Sequence, residues 1–175
     1  CMVGKPPDRM RQSGWRPFPT NIVLDHIYSV AKAYGVRRFD IKDSEFLGYI
    51  GVRGTKNPEL FEDSMMRVEQ FATGLIEINK QLDLKGQEKL EIEHISIRAD
   101  GVYREGETDK NLRRRKLLDL LKQAGVQGVF IGIESGSPEQ LRRYNKGITV
   151  QENKQALEIL RERGFGIEPG FIFFD

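Results

Sequence analysis

The sequence predicts an α/β fold in which parallel strands alternate with helices. Three joints carry this prediction, because at each one an amphipathic stretch stops at a glycine and an apolar run follows at once: Tyr34-Gly35-Val36, Ala124-Gly125-Val126 and Arg163-Gly164-Phe165. Glycine adopts the left-handed conformation that ends a helix without steric cost, so a strand can begin directly after it. Alternating elements of this kind pair their strands in parallel with right-handed crossovers, as an open doubly wound sheet or as part of a barrel.

Four helices are expected from caps and from apolar residues at helical spacing, and they begin at Thr20 (as N-cap), Asn57, about Asn111 and Thr149. The second helix has Pro58 in its first position and ends near Asp83. The fourth start is the best defined, because Glu152 lies three residues after its cap and completes a capping box. Apolar residues that define the buried faces include Ile27, Ala31, Met65, Val68, Ala72, Leu75, Leu117, Leu118, Leu121, Ala156 and Leu160.

Four strands are expected in the runs rich in Ile, Val and Phe: Val36–Asp43, Leu90–Asp100, Val126–Glu134 and Phe165–Phe174. Both parallel architectures bind their ligands at the carboxyl ends of strands. Functional residues are therefore expected in the segments that close the strands: Asp43–Phe46, Arg98–Asp100, Glu134–Ser137 and Asp175.

Several residues in these segments suit a polar, charged small molecule. Glu134 ends an apolar run, and burial of a carboxylate without a partner is costly, which favours a ligand-binding or a structural hydrogen-bonding role. Gly132 lies inside the predicted strand and Gly136 just after it. Glycine weakens a strand unless another group approaches the backbone closely, and a bound cofactor would be such a group. Asp43 and Ser44 are equally typical of groups that cap a loop.

Composition favours one globular domain and gives no overall case for a nucleic-acid or membrane partner. Hydrophobic residues make up 38% of the 175 residues, and 28 basic against 26 acidic residues give a formal net charge of +2. No run reaches the roughly 18 apolar residues of a membrane span, and no signal peptide is recognised, so a cytoplasmic location is expected. The basic run Arg113–Lys116 is interpreted as a solvated helix face, and His26 and His94 lack metal-ligand spacing.

Cys1 is the only cysteine of the sequence. An internal disulfide is therefore excluded, and this chain alone is unable to supply a complete set of sulfur ligands for an iron-sulfur cluster. The start at Cys1-Met2-Val3 and the end on the apolar run Phe171–Phe174 are interpreted as cuts in a longer protein.

Specific motifs lie between Gly125 and Gly170. Val129–Ser137 reads Val-Phe-Ile-Gly-Ile-Glu-Ser-Gly-Ser, and Leu141 and Asn145–Thr149 follow it. This order and spacing resemble the middle of a radical S-adenosylmethionine (SAM) barrel, closest to members with cobalamin-binding domains and to methylthiotransferases.

Two shorter segments agree with this resemblance, Ile97–Asp100 and Ile41–Phe46. It thus covers nearly the whole chain. It implies one domain over residues 1–175, a partial (β/α) barrel of the radical SAM type that lacks the first strand and the C-terminal part, with residues 1–19 as a loop that covers the cluster.

The resemblance implies a four-iron four-sulfur cluster held by a CxxxCxxC motif. Cys1 is compared with that motif as its third cysteine. As the first cysteine it would require cysteines at positions 5 and 8, which are Lys5 and Asp8, and as the second it would require one at position 4, which is Gly4. The alternative is a lone cysteine without a metal role. Three thiolates leave one iron open to the amino and carboxylate groups of SAM, which the family cleaves reductively to a 5′-deoxyadenosyl radical.

The resemblance also implies contacts to SAM, whereas no catalytic residue is assigned. Asp43–Glu45 stand where the family has a Gly-Gly-Glu segment that receives the methionine amino group. Glu134 and Ser135 match a position that contacts ribose or methionine. Lys146 matches a basic residue that pairs with the methionine carboxylate. Arg98 is a further candidate, although it is equally suited to pair with Asp100 or Glu134. The full predicted set is Asp43, Ser44, Glu45, Arg98, Gly132, Glu134, Ser135, Gly136 and Lys146.

The implied partners are an unknown small-molecule substrate and an electron donor such as flavodoxin or ferredoxin, with cobalamin in a domain outside this chain as an optional cofactor. Two other functions stay open. One is a metal-independent TIM-barrel-like lyase or isomerase that uses Glu45, Glu134 or Lys146 as acid and base. The other is a non-catalytic module that binds RNA or another partner through Arg113–Lys116.

Overall fold

The computed structural model describes residues 17–51 and 58–173. Within these residues a sheet of four strands alternates with five α-helices. The strands are β1 (Arg38–Asp40), β2 (Glu91–Arg98), β3 (Val126–Glu134) and β4 (Gly166–Phe171). The helices are α1 (Thr20–Tyr34), α2 (Glu59–Leu84), α3 (Thr108–Ala124), α4 (Pro138–Arg143) and α5 (Val150–Glu162).

The sheet is parallel throughout and its strands follow chain order, β1-β2-β3-β4. This confirms the prediction from the glycine joints. Gly35, Gly125 and Gly164 all have the positive φ expected after a helix, 71°, 103° and 69°. The helix α5 also begins as predicted, with both hydrogen bonds of the capping box between Thr149 and Glu152.

Three strands are shorter than predicted. The strand β1 ends at Asp40 rather than Asp43, and its register with β2 shifts between Phe39 and Asp40. The chain then leaves the ladder, although the Phe46 N–H still donates to Ser96 O (2.8 Å). The strand β2 stops at Arg98 because Ala99–Gly101 form a 3-10 turn, and β4 ends at Phe171. Apolar composition alone does not show where backbone pairing stops.

Helix starts also differ in part. The prediction of Thr20 as an N-cap is wrong, since Thr20 is already helical and Pro19 takes the cap position without a side-chain bond. The helix α3 begins three residues before Asn111, at Thr108. The predicted start of α2 at Asn57 lies outside the described residues, whereas its end at Leu84 agrees with the prediction. The additional short helix α4 begins after Ser137, whose side chain accepts a hydrogen bond from the Gln140 N–H.

The core lies between the helices and one face of the sheet. On β3 the residues Val129, Ile131 and Ile133 are buried, whereas Phe130, which points to the opposite face, is 41% exposed. Helix residues such as Leu75 and Leu121 are fully buried in the same cluster. The apolar layer between the helices and this face of the sheet therefore supports the strands whose carboxyl ends carry the predicted site.

Asn79 of α2 is a buried polar residue that ties the beginnings of two strands together. Its side-chain amide donates to Leu90 O (2.9 Å) and Ala124 O (3.3 Å), and its Oδ1 accepts from the Leu90 N–H (2.7 Å). Leu90 directly precedes β2, and Ala124 is the last residue of α3, from which only Gly125 separates β3. One side chain thus binds three backbone groups in the interior of the protein.

The interpretation of Arg113–Lys116 as a solvated face is wrong for Arg114, whose side chain is 2% exposed. Its guanidinium donates to Asn111 Oδ1 (2.8 Å), Ile50 O (2.9 Å) and Glu107 Oε2 (2.7 Å). The reason is helical spacing, since Arg114 lies on the same side of α3 as the buried Leu117, Leu118 and Leu121. Arg114 therefore binds the loop after β1 to α3.

Candidate cofactor-binding site

The segments after β1, β2 and β3 meet at the carboxyl edge of the sheet. Arg98 at the end of β2 donates through Nη2 to Lys146 O (3.3 Å), and Lys146 Nζ donates to Glu134 Oε1 at the end of β3 (2.6 Å). The charges of Glu45 and Glu134 both contribute to raising the pKa of Arg98, after the larger effect of its hydrogen bond with Asp100. Four of the predicted residues therefore lie together: Glu45, Arg98, Glu134 and Lys146.

Glu134 ends β3 in a backbone conformation that side chains rarely adopt, with φ of 66°. Its carbonyl accepts from the Ile172 N–H (2.9 Å), and its carboxylate forms the ion pair with Lys146. Both side chains of that pair are mostly buried. The ion pair thus holds the segment that follows α4 against the end of β3.

Gly132 lies directly against the protein's own Glu134 carboxylate. A Cβ atom at this position would lie 2.8 Å from Glu134 Oε1, closer than real Cβ contacts allow. The close approach that the sequence predicts at Gly132 is therefore made by Glu134, and a contact of Gly132 with a cofactor stays a prediction. Gly136 differs, because a Cβ there would meet no atom within 4 Å of the described structure.

Arg98 belongs to a group of three charged residues, in which Asp100 and Arg104 are buried and Arg98 is partly exposed. Its Nε and Nη2 donate to the two carboxylate oxygens of Asp100 at 2.9 and 2.7 Å, and Arg104 Nη2 donates to Asp100 Oδ2 at 3.1 Å. The Asp100 side chain is 1% exposed. This arrangement matches the alternative in which Arg98 pairs with Asp100 as part of the structure. The position of Asp100 two residues after Arg98 indicated this pairing in the sequence. Nothing in the sequence singled out Arg104, which the structure adds to the site.

Glu45 follows β1 and is the carboxyl group with the strongest perturbation. Burial raises its pKa from 4.5 to about 8, against the opposing effect of the Arg98 charge, and the negative charges of Asp100 and Asp43 add to the rise. Its Oε1 accepts from the Leu47 N–H (3.1 Å). Its Oε2 is buried and has no hydrogen-bond partner among the described residues. An unsatisfied buried acceptor is costly, and perturbed groups of this kind concentrate at functional sites.

The remaining predicted residues have local roles in the structure. Asp43 Oδ1 accepts from the Glu45 N–H (3.2 Å), which is the loop-capping role, and Ser44 is exposed. Ser135 is buried, donates to Gln140 Oε1 (2.5 Å) and accepts from the Ser137 N–H (3.0 Å), so it holds the start of α4. Their contacts with a cofactor stay predictions.

A cavity of about 590 Å³ opens beside the loop after β1, between the start of α1 and α2. Among the predicted residues only Asp43 and Ser44 line it, together with Arg67 and the rings of Phe46 and Phe71. It is thus separate from Glu134 and Lys146, which do not line it.

Cys1, the predicted cluster ligand, and Asp175 lie outside the described residues, as does nearly all of the predicted cluster-covering loop. Among residues 17–51 and 58–173 no three His, Cys, Asp or Glu residues are placed to hold a metal ion. None of the helices described is long and apolar enough to cross a membrane.

A model of the Radical SAM superfamily matches residues 12–173, nearly all of the chain. The chain belongs to the radical SAM superfamily. This radical SAM chain is 33% identical over 168 residues to the 4′-phospho-dehydrooxetanocin synthase of Priestia megaterium, an alignment that covers 92% of the chain and 20% of that protein. It is 38% identical over 61 residues to the anaerobic magnesium-protoporphyrin IX monomethyl ester cyclase of Rubrivivax gelatinosus, over 35% of the chain and 11% of that protein.

Solved structures agree with the fold of this radical SAM chain. The cobalamin-dependent SAM radical enzyme OxsB, with aqua-cobalamin and SAM bound, superposes with a TM-score of 0.73 at 31% identity, over 92% of the chain and 20% of that protein. The radical SAM methyltransferase TsrM from Kitasatospora setae matches the fold at 19% identity with a TM-score of 0.61, over 88% of the chain and 25% of that protein. The predicted α/β fold of the radical SAM type is confirmed, as is the likeness to cobalamin-dependent members.

The radical SAM chain spans about one fifth of the length of the first curated relative that it matches. Activities of the relatives belong to those longer proteins. The family match over residues 12–173 does not favour the alternative function, a metal-independent lyase or isomerase.

Proposed function

We propose that this chain forms the SAM-binding part of a radical SAM enzyme that cleaves SAM reductively next to a four-iron four-sulfur cluster. The observation that carries the proposal is Glu45 Oε2, a buried acceptor without a hydrogen-bond partner in the described structure, which lies in the loop after β1. A hydrogen-bond donor satisfies such an oxygen, and the amino group of the methionine part of SAM has N–H bonds to donate. The residues present therefore fit the cofactor.

The remaining charges at this edge suit the carboxylate of the same cofactor. Arg98, Arg104 and Lys146 face two carboxylates, Asp100 and Glu134, in the contacts described above. While Glu45 is protonated, one positive charge of this group is not balanced. The methionine group of SAM would thus place an amino N–H at Glu45 and its carboxylate towards the basic side chains.

The proposed cofactor contacts are the predicted set Asp43, Ser44, Glu45, Arg98, Gly132, Glu134, Ser135, Gly136 and Lys146. Cys1 is proposed as one ligand of the cluster, with two further cysteines outside this chain. When bound, the cluster supplies the electron that breaks a sulfur–carbon bond of SAM, which releases methionine and a 5′-deoxyadenosyl radical. The residues of this chain bind and orient the cofactor, and none of them is proposed to transfer a proton.

Cobalamin, held in a domain outside this chain, is proposed as a further cofactor, because OxsB and TsrM both contain it in their solved structures. The substrate is proposed to be a small molecule of undetermined class. The electron donor is proposed to be a flavodoxin or ferredoxin, and the compartment the cytoplasm.

The test is anaerobic reconstitution of the intact protein with iron and sulfide. The proposal predicts a brown protein that binds SAM and forms 5′-deoxyadenosine after reduction with dithionite. Lys146→Met should weaken SAM binding about tenfold, the loss of roughly one charged hydrogen bond. Lys154→Met is the matched control, because Lys154 is exposed on α5 away from these contacts.

A protein that stays colourless after reconstitution and binds no SAM would contradict the proposal. Turnover of a substrate by that same colourless protein, abolished by Glu134→Gln, would instead support the lyase or isomerase. Equal effects of Lys146→Met and Lys154→Met would remove Lys146 from the site while leaving the cofactor assignment intact.

A further inference from the structure

Glu134 lies at the centre of a tight three-residue turn at the end of β3. The Ser135 N–H donates to Ile133 O at 2.8 Å, and Glu134 between them has a φ of 66°. A hydrogen bond of this span around a residue with positive φ forms the rarer kind of γ-turn, which is strained for any residue that has a side chain. Such a turn persists only where the surrounding structure stabilises it.

The turn sets the direction of the Glu134 side chain. The register between β3 and β4 shifts between Gly132 and Glu134, and irregularities of this kind re-aim side chains next to functional sites. The Glu134 carboxylate folds back over the strand, so that Oε1 lies 2.8 Å from the place of a Cβ at Gly132. In this position the same oxygen accepts from Lys146 Nζ at 2.6 Å. The ion pair at the candidate site therefore depends on the geometry of the turn.

Asn153 of α5 contacts the turn from the interior of the protein. Its Nδ2 donates to Ile133 O at 3.0 Å, so this carbonyl accepts both from Asn153 and from the Ser135 N–H. The residue is 3% exposed. Because Asn153 is almost completely enclosed by the protein, it acts on the turn rather than on a ligand.

The start of α5 fixes the position of Asn153. Thr149 and Glu152 form both hydrogen bonds of the capping box, and Glu152 Oε1 also accepts from the Glu105 N–H at 3.1 Å. The Asn153 N–H donates to Thr149 O at 3.0 Å. The helix start is thus held by contacts on both sides of the cap, and the Asn153 amide is pre-organised towards the end of β3.

Asn153 is poorly suited to a role in stability alone. Its Oδ1 is buried and has no hydrogen-bond partner among the described residues. A buried acceptor without a partner costs free energy, whereas a leucine of similar shape would bury only apolar atoms. The bond from Nδ2 to Ile133 O is the contact that offsets this cost.

We propose that Asn153 is a positioning residue that holds the strained turn at Glu134, and so places the Glu134 carboxylate for its contact with a bound ligand. The inference rests on the proposed function for the identity of that ligand, SAM. It adds to the site a residue of α5, 20 positions along the chain from the carbonyl that it binds.

The experiment compares Asn153→Leu with wild type in the intact, reconstituted protein. Without SAM, hydrogen–deuterium exchange of the peptide that contains Ser135 should be about tenfold faster in the variant, because the turn loses roughly one hydrogen bond, while peptides of β2 should exchange as in wild type. SAM should bind about tenfold more weakly. Gln151→Leu removes an exposed amide from the first turn of the same helix and should match wild type in both measurements.

A change at Glu134 separates positioning from general loss of structure. In Glu134→Gly the turn no longer needs support, because glycine adopts a positive φ without strain. Asn153→Leu in that background should change neither the exchange at Ser135 nor the remaining affinity for SAM. Losses as large as in the single variant would refute the inference, because Asn153 would then act apart from the turn. Should Asn153→Leu alone not fold, the double variant decides: it should fold, and its failure to do so would refute the inference as well.

The two measurements keep this inference apart from the proposed function. Exchange at Ser135 is followed without SAM, so unchanged exchange in Asn153→Leu would rule out the role of Asn153 alone. Faster exchange with unchanged affinity for SAM would also rule it out, since the placement of Glu134 would not matter to the ligand. Failure of wild type to bind SAM would contradict the proposed function alone, and exchange at Ser135 would still decide whether Asn153 holds the turn.

Discussion

Replacement of Glu45 by glutamine should change how the stability of the protein depends on pH. Burial raises the pKa of Glu45 from 4.5 to about 8 in the folded state. The folded protein therefore keeps a proton that the unfolded chain releases, so the stabilisation is fully present below pH 4.5 and is lost as the pH rises to about 8. Glutamine keeps the size of the side chain but does not titrate, so Glu45→Gln should lack this loss.

The magnitude follows from the same pKa difference. Each pH unit between the two pKa values changes the free energy of unfolding by about 1.4 kcal/mol. Two units, from about pH 6 to pH 8, correspond to about 3 kcal/mol at most. Because the Glu45 side chain keeps partial contact with water, we expect the unfolding free energy of wild type to fall by about 2 kcal/mol more than that of Glu45→Gln.

The assay is urea denaturation followed by far-UV circular dichroism at pH 6 and pH 8, without SAM. Glu88→Gln is the control, since Glu88 is exposed on the loop before β2 and should follow wild type. Equal pH dependence of wild type and Glu45→Gln would refute the reasoning, because it would show that Glu45 titrates normally in the folded protein. A steeper fall in the variant would refute it as well.

Three further substitutions test contacts of the fold and the site. Asn79→Ala should lower the free energy of unfolding by about 3 kcal/mol in urea, since the Leu90 N–H and other buried backbone groups lose their partner, and a loss below about 1 kcal/mol would contradict this. Gly132→Ala should weaken SAM binding about tenfold by pushing the Glu134 carboxylate from its ion pair, whereas Gly166→Ala, with no atom closer than 3.7 Å to the new Cβ, should bind normally. Arg114→Lys should cost about 2 kcal/mol of stability in the same denaturation assay, because an ammonium is unable to reach all three acceptors of the guanidinium, and an unchanged midpoint would show that they are not needed.

The sequence was sufficient for features that depend on neighbouring residues. The glycine after each of three helices requires a positive φ, and the capping box of α5 needs only Thr149 and Glu152, so both were recognised and confirmed. The parallel order of the strands follows from this local alternation and from the general handedness of crossovers.

Features that depend on distant residues were not predictable in the same way. The bond from Arg98 to Lys146 O joins residues 48 positions apart, and one hydrogen-bond acceptor of Arg114 is the Ile50 carbonyl, 64 positions away. At Gly132 the sequence showed that an atom approaches the backbone, but not that the atom belongs to Glu134. Composition and spacing carry no information on which of several acids will bind a given base.

The pairings at the carboxyl edge suggest an order in which a zwitterionic ligand would engage the proposed site. Glu45 has the unsatisfied oxygen, whereas Lys146 is already bound to Glu134 at 2.6 Å. An amino N–H therefore gains a contact at Glu45 without breaking one, but a carboxylate reaches Lys146 only by competing with Glu134. Glu134 would then need a new donor, and the ribose hydroxyls of a nucleoside can supply it. On this reasoning Glu45 contributes first to affinity, and the pair of Glu134 and Lys146 selects ligands that have both an acid and a neighbouring diol.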